Sequence, residues 1–512
     1  MNGQRDGQTS GQMSAPAGEF LTRQVASGML WVAGSAVVGR LASFGSQLVL
    51  GWLLTPEDFA LYAIAVSVSA LLWAVKNGGL REVLTQRGRE YDALAPAAWR
   101  IALCCNLALA LALAGLSPLL ARIYEAPDLP PLIWIIALFL VANTPATILL
   151  ARMSIDMRFS SLGKISSLSM TLRHLSAVGF ALLGFGAASF LLPLFVVAAF
   201  DGAAYYRALR SWPRGGLPVR EVLRQTMPAA RWVMFGTLAA ALLEQGDYLT
   251  LGLLQDKHTL GLYFFGFQLS VALESLFVTG LRAVMLPAFT RLADQPQRQG
   301  AAFLRSCGML GFLSAPACLG MAVAAGPLIH LLWGGRWDAA TPVFQLMLMS
   351  LFARLLAPLS LALAESRGNW RLRSLLMAAD GLGLVASAAL GAAFGGLFAV
   401  ALWVAGYRIL SGLAQCLYIS RHAEVPMAQT LNMALTPALV SLASAAAGLA
   451  AGRALLPASG MLVQTGLALA VFVVLYALAG LTLLRPRLRE ALELYRTLRR
   501  PMPEGPAAGA GD

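Results

Sequence analysis

Arg40, Arg173, Arg354 and Arg408 lie inside long apolar stretches of the chain, and so do Asp201, Glu244, Asp247, Glu274 and Asp380. A charge held at that depth in a hydrocarbon layer costs about 2.5–3.5 kcal/mol on insertion scales, so it faces water, a partner or a ligand. Arginine is the side chain best suited to phosphate, because its planar fork donates two parallel hydrogen bonds. Several arginines converging on one cavity suit a diphosphate, which carries two or more negative charges. Acidic groups near them have two uses: ion pairs that break when an anion arrives, or sites for Na⁺ or H⁺.

Spacing sharpens this. Gly28, Ser35, Gly39, Ala42, Ser43 and Ser46 fall on nearly the same helical face as Arg40. That stripe reads either as the lining of an anion cavity or as a packing seam of small residues with Arg40 in a structural pair. Gly236, Ala240, Glu244 and Asp247 share a face in the same way, and Asp247 also reads as a hydrated group near the outer interface. Arg173 with Asp201, or Arg408 with Asp380, are alternative structural pairs. We assign substrate binding to Arg40, Arg173, Arg354 and Arg408, and coupling or gating to Glu244, Asp247 and Asp380. Lys76, close to a helix end, is read as a snorkelling side chain. Pro145 and Pro358 interrupt two spans at equivalent positions and serve as hinges or as static bends. Five cysteines and four histidines show no ligand or disulfide spacing. No metal, cofactor or catalytic group is expected.

The elements that must position these residues are membrane helices. The 512-residue chain is 58% apolar and 12% charged, where a soluble domain carries roughly 25% charge. Stretches long enough to cross a bilayer recur without the alternation of barrel strands, so they are helices. Spans are expected at 27–54, 59–80, 98–120, 131–151, 165–185, 187–208, 231–254, 260–281, 303–325, 340–364, 374–393, 395–419, 431–451 and 461–484. With the N-terminus inside, Lys and Arg gather at inner segments. Arg122, Lys257, Arg336 and Arg453 fall in outer loops. The net charge of +13 is scattered between spans and makes no nucleic-acid face. The first span is too long for a signal-peptide core and is expected to remain as an anchor. No loop is large enough for a catalytic domain. The basic segments 209–230 and 485–500 suit interfacial helices.

One constant offset aligns Leu50-Gly51 with Leu251-Gly252, Leu61-Tyr62 with Leu262-Tyr263, Ser69 with Ser270, and Gly79-Leu80-Arg81 with Gly280-Leu281-Arg282. A slightly larger offset places Pro118-Leu119 on Pro327-Leu328. An even number of spans separates the copies, which makes a parallel repeat of two six-helix bundles around a central cavity, with two further C-terminal helices. The expected organisation is a disordered cytoplasmic N-terminus (1–24), an N-lobe (25–210), a cytoplasmic amphipathic linker (211–230), a C-lobe (231–420), two added helices (421–484) and a basic cytoplasmic tail (485–512).

The segment Leu53-Leu-Thr-Pro-Glu-Asp-Phe-Ala-Leu-Tyr62 resembles the first outer loop of the Wzx-like polysaccharide-transport proteins. These belong to the multidrug/oligosaccharidyl-lipid/polysaccharide exporter superfamily. Gln245-Gly-Asp-Tyr-Leu-Thr-Leu-Gly252, Leu260-Gly-Leu-Tyr263, Met285-Leu-Pro-Ala-Phe-Thr-Arg-Leu292 and Leu332-Trp-Gly-Gly-Arg-Trp337 follow in that family's order, and Arg158-Phe159 fits too. The resemblance covers about residues 25–430. It implies two six-helix lobes, twelve core helices plus two, and a non-enzymatic flippase of the bacterial inner membrane. The cargo it implies is an undecaprenyl-diphosphate-linked oligosaccharide, held in a cationic cavity onto which Arg40 and Arg354 map. A monomer with both termini cytoplasmic is expected, with a polysaccharide polymerase and chain-length machinery as candidate partners. A multidrug/cation antiporter of the same superfamily is the nearest alternative and would favour an acidic, aromatic cavity. A membrane polysaccharide polymerase or glycosyltransferase would need a large loop or a nucleotide-sugar domain, and a purely structural membrane protein leaves the buried charges unexplained.

Arg40→Ala is expected to abolish export while Arg40→Lys retains part of it, measured as surface polysaccharide in a complemented deletion strain. Wild-type export from Arg40→Ala would remove Arg40 from the site.

Overall fold

The computed structural model describes residues 39, 42–73, 84–85, 87–156, 158–213 and 216–489. Arg40 and Lys76 lie outside them, as do residues 1–24 and most of the tail. The described chain is helical with no strand, as lipid requires of a chain whose backbone groups must pair within each segment. Helix α1 covers 42–53. It is followed by α2 (Pro56–Trp73), α3 (Tyr91–Ile123), α4 (Leu129–Ala142), α5 (Thr144–Ile155), α6 (Phe159–Leu182) and α7 (Pro193–Leu209). The chain continues through α8 (Val219–Leu254), α9 (Lys257–Arg291), α10 (Pro296–Trp333), α11 (Thr341–Arg354), α12 (Leu356–Ser366), α13 (Trp370–Ala393), α14 (Gly396–His422), α15 (Met427–Leu455) and α16 (Met461–Leu481).

Among the described residues, 10 helices are long and apolar enough to cross a bilayer, or 11 with the bent pair α4 and α5 taken as one span. This is a multi-pass membrane protein. The expected fourteen spans add the first span, of which only part is described, together with α6 and α8. Those two helices are long enough but less apolar: α6 carries Lys164, Arg173 and His174, and α8 carries Glu244 and Asp247. Helix α8 has 36 residues, about 54 Å at 1.5 Å per residue, and runs unbroken through 230/231. The amphipathic segment 219–230 is thus the first three turns of this helix and not a separate element.

Contacts divide the chain into two compact units, one of residues 1–54 and 72–237 and the other of 55–71 and 238–512. In the first unit α3 packs along α4, and α7 lies against α5 and α6. Buried polar groups pin it: Asn106 Nδ2 donates to Thr144 Oγ1 at 2.8 Å, and the Tyr91 hydroxyl donates to the Ile148 carbonyl at 3.0 Å. In the second unit α11 packs on α14, α13 on α14, and α9 on α11 and α12. The two C-terminal helices pair with each other and lie along α10.

The N-terminal ends of α2 and α9, which the constant sequence offset matches, carry related caps. Thr55 caps α2: its hydroxyl accepts from the Asp58 N–H at 3.2 Å, and Asp58 Oδ2 accepts from the Thr55 N–H at 3.0 Å. At α9 the residue types are exchanged. Asp256 Oδ2 accepts from the Thr259 N–H at 2.9 Å, and the Thr259 hydroxyl donates to Asp256 Oδ1 at 2.7 Å. Those Thr259 hydrogen bonds hold the Asp256 carboxyl below the usual carboxylate range. The α2 cap is reciprocal, each side chain accepting from the other residue's N–H, while at α9 Asp256 alone caps a backbone N–H and the Thr259 hydroxyl ties the two side chains together. The two helix ends also touch, for Glu57 Oε1 and His258 Nδ1, 201 positions apart, lie 3.0 Å from each other. Phe59 packs edge-on against Phe265 and Trp337, and those two rings stack at 3.8 Å. The turn that brings Trp337 there needs two left-handed residues, Gly334 (φ 61°) and Gly335 (φ 89°), which glycine adopts at no steric cost.

Gly261 meets a different constraint: a Cβ there would overlap the backbone carbonyl of Pro56. Gly261→Ala must push α9 from α2 and is expected to cost about 1–3 kcal/mol, the usual range for overpacking. The check is the unfolding temperature of the detergent-purified protein; an unchanged value would mean that the two backbones do not meet there.

Candidate functional site

Helix α9 carries Phe267, Val271, Glu274, Ser275 and Val278 at helical spacing, so one face of it lines a pocket in the second unit. Glu244, Gln245 and Tyr248 of α8 line the same pocket, with Arg354 at the end of α11, Asp380 on α13, and Tyr407 and Arg408 on α14. Its volume is about 360 Å³. Three carboxylates and two guanidiniums thus share one membrane-embedded cavity.

Local sequence explains why Arg354 ends its helix. Pro358 has no N–H to donate to the carbonyl four residues back, which is that of Arg354, and its ring disfavours a straight helix there. The chain turns at Leu355 and resumes as α12. Pro145 acts likewise in the first unit, where α4 stops at Asn143 and α5 departs at 46°. Thr144 stitches that break by donating its hydroxyl to the Leu140 carbonyl at 3.1 Å. Both prolines therefore sit at real helix breaks.

The charges form a chain of ion pairs. Arg354 Nη1 lies 2.6 Å from Asp380 Oδ2, and Arg354 Nε lies 3.8 Å from Glu274 Oε1. The other oxygen of Glu274 takes Arg408 Nη2 at 2.6 Å. Arg408 also rests over the Phe267 ring, 5.0 Å from its centroid. Burial is uneven: the side chains of Asp380 and Arg408 are 4% and 5% exposed, those of Arg354 and Glu274 17% and 20%. The Tyr407 hydroxyl donates to the Asp380 backbone carbonyl at 3.1 Å, fixing α13 against α14 beside the pair.

Several expectations change in detail. Arg354 and Arg408 do converge on one cavity, but each is paired and neither is a bare cation. Arg408 is held by Glu274, while Asp380 belongs to Arg354. Glu244 lines the cavity and makes no ion pair among the described residues. Asp247 does not line it: fully buried, it accepts from the Tyr263 hydroxyl and from the Tyr248 N–H, each at 2.9 Å. The reading of Asp247 as a hydrated interfacial group does not fit that burial. Arg173 lies on α6 of the first unit, half-buried beside His174. Asp201 is hydrogen-bonded there by the Ser169 hydroxyl, and no Arg173–Asp201 pair occurs among the described residues. Glu274 was named among the intramembrane charges of the sequence but given no role, and it is the hub. The signal for it was the stripe from Phe267 to Val278 on one face of α9.

With this geometry in place, the comparison with known proteins is direct. Residues 49–342 match the family described as polysaccharide biosynthesis protein. The chain belongs to that family. It is similar to the succinoglycan biosynthesis transport protein ExoT of Rhizobium meliloti (strain 1021), 27% identical over 331 residues. That match spans 62% of this chain and 65% of the relative's length. It is 22% identical over 330 residues to the lipopolysaccharide biosynthesis protein WzxC of Escherichia coli (strain K12), covering 64% of this chain and 67% of that one. Among solved structures, the lipid II flippase MurJ in an inward closed conformation superposes with TM-score 0.68 at 12% identity, over 89% of this chain and all of that one. An inward-facing multidrug resistance MATE family transporter gives 0.59 at 12% identity, over 75% of this chain and 94% of the other. The family member described here therefore shares the membrane-helical fold of these transporters.

Truncating one member of a buried ion pair costs about 3–5 kcal/mol, whereas replacing both with apolar groups is close to neutral. Asp380→Leu is expected to show that loss in thermal unfolding of the purified protein, and Asp380→Leu with Arg354→Met to recover most of it. A double variant no more stable than the single one would show that the pair does not hold α11 to α13.

Proposed function

We propose that this protein is a flippase. It carries undecaprenyl-diphosphate-linked oligosaccharide repeat units across the bacterial inner membrane by alternating access, for assembly of O-antigen, capsule or exopolysaccharide. The observation that carries this reading is the pair of guanidinium groups, Arg354 and Arg408, on one membrane-embedded cavity in a chain of the polysaccharide biosynthesis family. A diphosphate offers several oxygens to such groups, and charge-assisted bidentate bonds are the strong ones. Binding only the headgroup, with the lipid tail left in the bilayer, lowers the cost of moving a large polar group through hydrocarbon. The names of its relatives, one a succinoglycan biosynthesis transport protein and one a lipopolysaccharide biosynthesis protein, support the same reading. The role is carriage, with no catalytic residue assigned.

In this reading Arg40 and Arg173 are further substrate-binding residues. Glu244 and Asp380 take part in coupling or gating, with Asp247 supporting them from behind Tyr248. Pro145 and Pro358 are the hinges, each at a helix break in an equivalent span. Fourteen spans, both termini in the cytoplasm and a monomer complete the proposal, with a polysaccharide polymerase and chain-length machinery as functional partners.

The antiporter reading gains one specific observation. The cavity holds Glu244, Glu274 and Asp380 beside Tyr248, Phe267 and Tyr407, an acidic and aromatic lining of the kind that binds organic cations. A clean deletion separates the two. The flippase predicts lipid-linked repeat units trapped on the cytoplasmic leaflet and loss of a surface polysaccharide, read by lipid extraction and glycan staining. Unchanged polysaccharide with new sensitivity to cationic drugs would move the assignment to the antiporter.

A further inference from the structure

Glu274 is the carboxylate that touches both cavity arginines, one oxygen to each. It thus presents to Arg354 and Arg408 what a phosphate group would present: two acceptor oxygens on one central atom. The three other participants are not equivalent to it. Arg354 keeps Asp380 as a second and closer counter-ion, so it stays neutralised if Glu274 leaves. Arg408 pairs with no carboxylate but Glu274 among the described residues, and its Nε, fully buried, makes no hydrogen bond there. Asp380 is 4% exposed, whereas Glu274, on the same cavity, is 20% exposed. The carboxylate able to move is therefore the one that bridges.

We propose that Glu274 is a built-in competitor: in the empty cavity its carboxylate occupies both guanidiniums, and a lipid diphosphate headgroup displaces it to bind there. This rests on the anion-binding role given to Arg354 and Arg408 above. Displacement leaves the freed carboxylate in a cavity that Glu244 and Asp380 also line, so the incoming anion works against like-charge repulsion. The groups facing Glu274 are Glu244 and Tyr248 on α8, Arg354 on α11, Asp380 on α13, and Tyr407 and Arg408 on α14. Behind that lining, Asp247 lies buried on α8, and Cys318 of α10 also stands within electrostatic reach of Glu274. Of these, Glu244 is the acid that has neither a cation partner nor a full set of hydrogen bonds among the described residues.

The test uses the full chain in phosphatidylcholine nanodiscs, with undecaprenyl diphosphate as the probe. Glu274→Gln keeps the shape and removes the charge. It is expected to bind the probe roughly tenfold more tightly than wild type at about pH 8, the loss of one charged competitor. A monodisperse Glu274→Gln sample that binds no more tightly than wild type overturns the proposal. Should that variant fail to fold, Glu274→Asp reads the same claim: a carboxylate one methylene shorter cannot span both guanidiniums and is expected to let the probe bind more tightly than in wild type, and unchanged binding overturns the proposal. Arg408→Ala and Arg354→Ala separate the layers. If both bind the probe as wild type does, the anion-binding reading itself fails. If both lose binding while Glu274→Gln gains nothing, only the competitor role fails.

Discussion

Arg354, Asp380, Glu274 and Arg408 come from four helices and share one set of ion pairs deep in a membrane domain. None of them tolerates isolation at that depth, where an unpaired charge costs several kcal/mol. The constraint is mutual. Helices α9, α11, α13 and α14 must meet where their charges meet, and apolar packing can only fill in around that point. Without the network the four helices would have no common register, since lipid tails are as apolar as leucine and supply no preference among helix faces. The cavity follows from the same constraint, because a cluster of five ionisable side chains packs less densely than leucine and alanine and leaves polar walls.

Proline and charge cooperate in placing the site. The break before Pro358 puts Arg354 at the end of α11, where it pairs with Asp380 of α13 and Glu274 of α9. The matching break before Pro145 bends the first unit at 46° but has no arginine at its end. The two units thus each contain a proline break, and only the one before Pro358 ends on an arginine held in a buried ion pair.

Much of this was legible in the sequence. Membrane helices follow from composition, and the offset between Leu61-Tyr62 and Leu262-Tyr263 shows a duplicated element. Arg354, Arg408, Glu244 and Asp380 were picked out because mid-span charge is costly, and one cavity collects all four. Pairing was less legible. Whether Arg408 meets Asp380 or Glu274 depends on helix rotation, which spacing along one helix does not report. Asp247 shows the same limit from the other side. It shares a helical face with Glu244 in projection, yet a displacement of three residues carries it past the cavity into the Tyr263 hydroxyl. Element ends were the least legible: α8, α9 and α10 run beyond their apolar cores, since polar turns continue a helix wherever no breaker stops them.

Glu57 and His258 are matched by the constant sequence offset and touch each other. In a symmetric pair of separate, identical chains, equivalent residues at such a contact must be alike, acid against acid or imidazole against imidazole. A single polypeptide carries no such restriction, and here an acid faces an imidazole. The caps differ in the same way, threonine then aspartate at one helix start and aspartate then threonine at the other. Freed from self-complementarity, the seam has two sides of different chemistry.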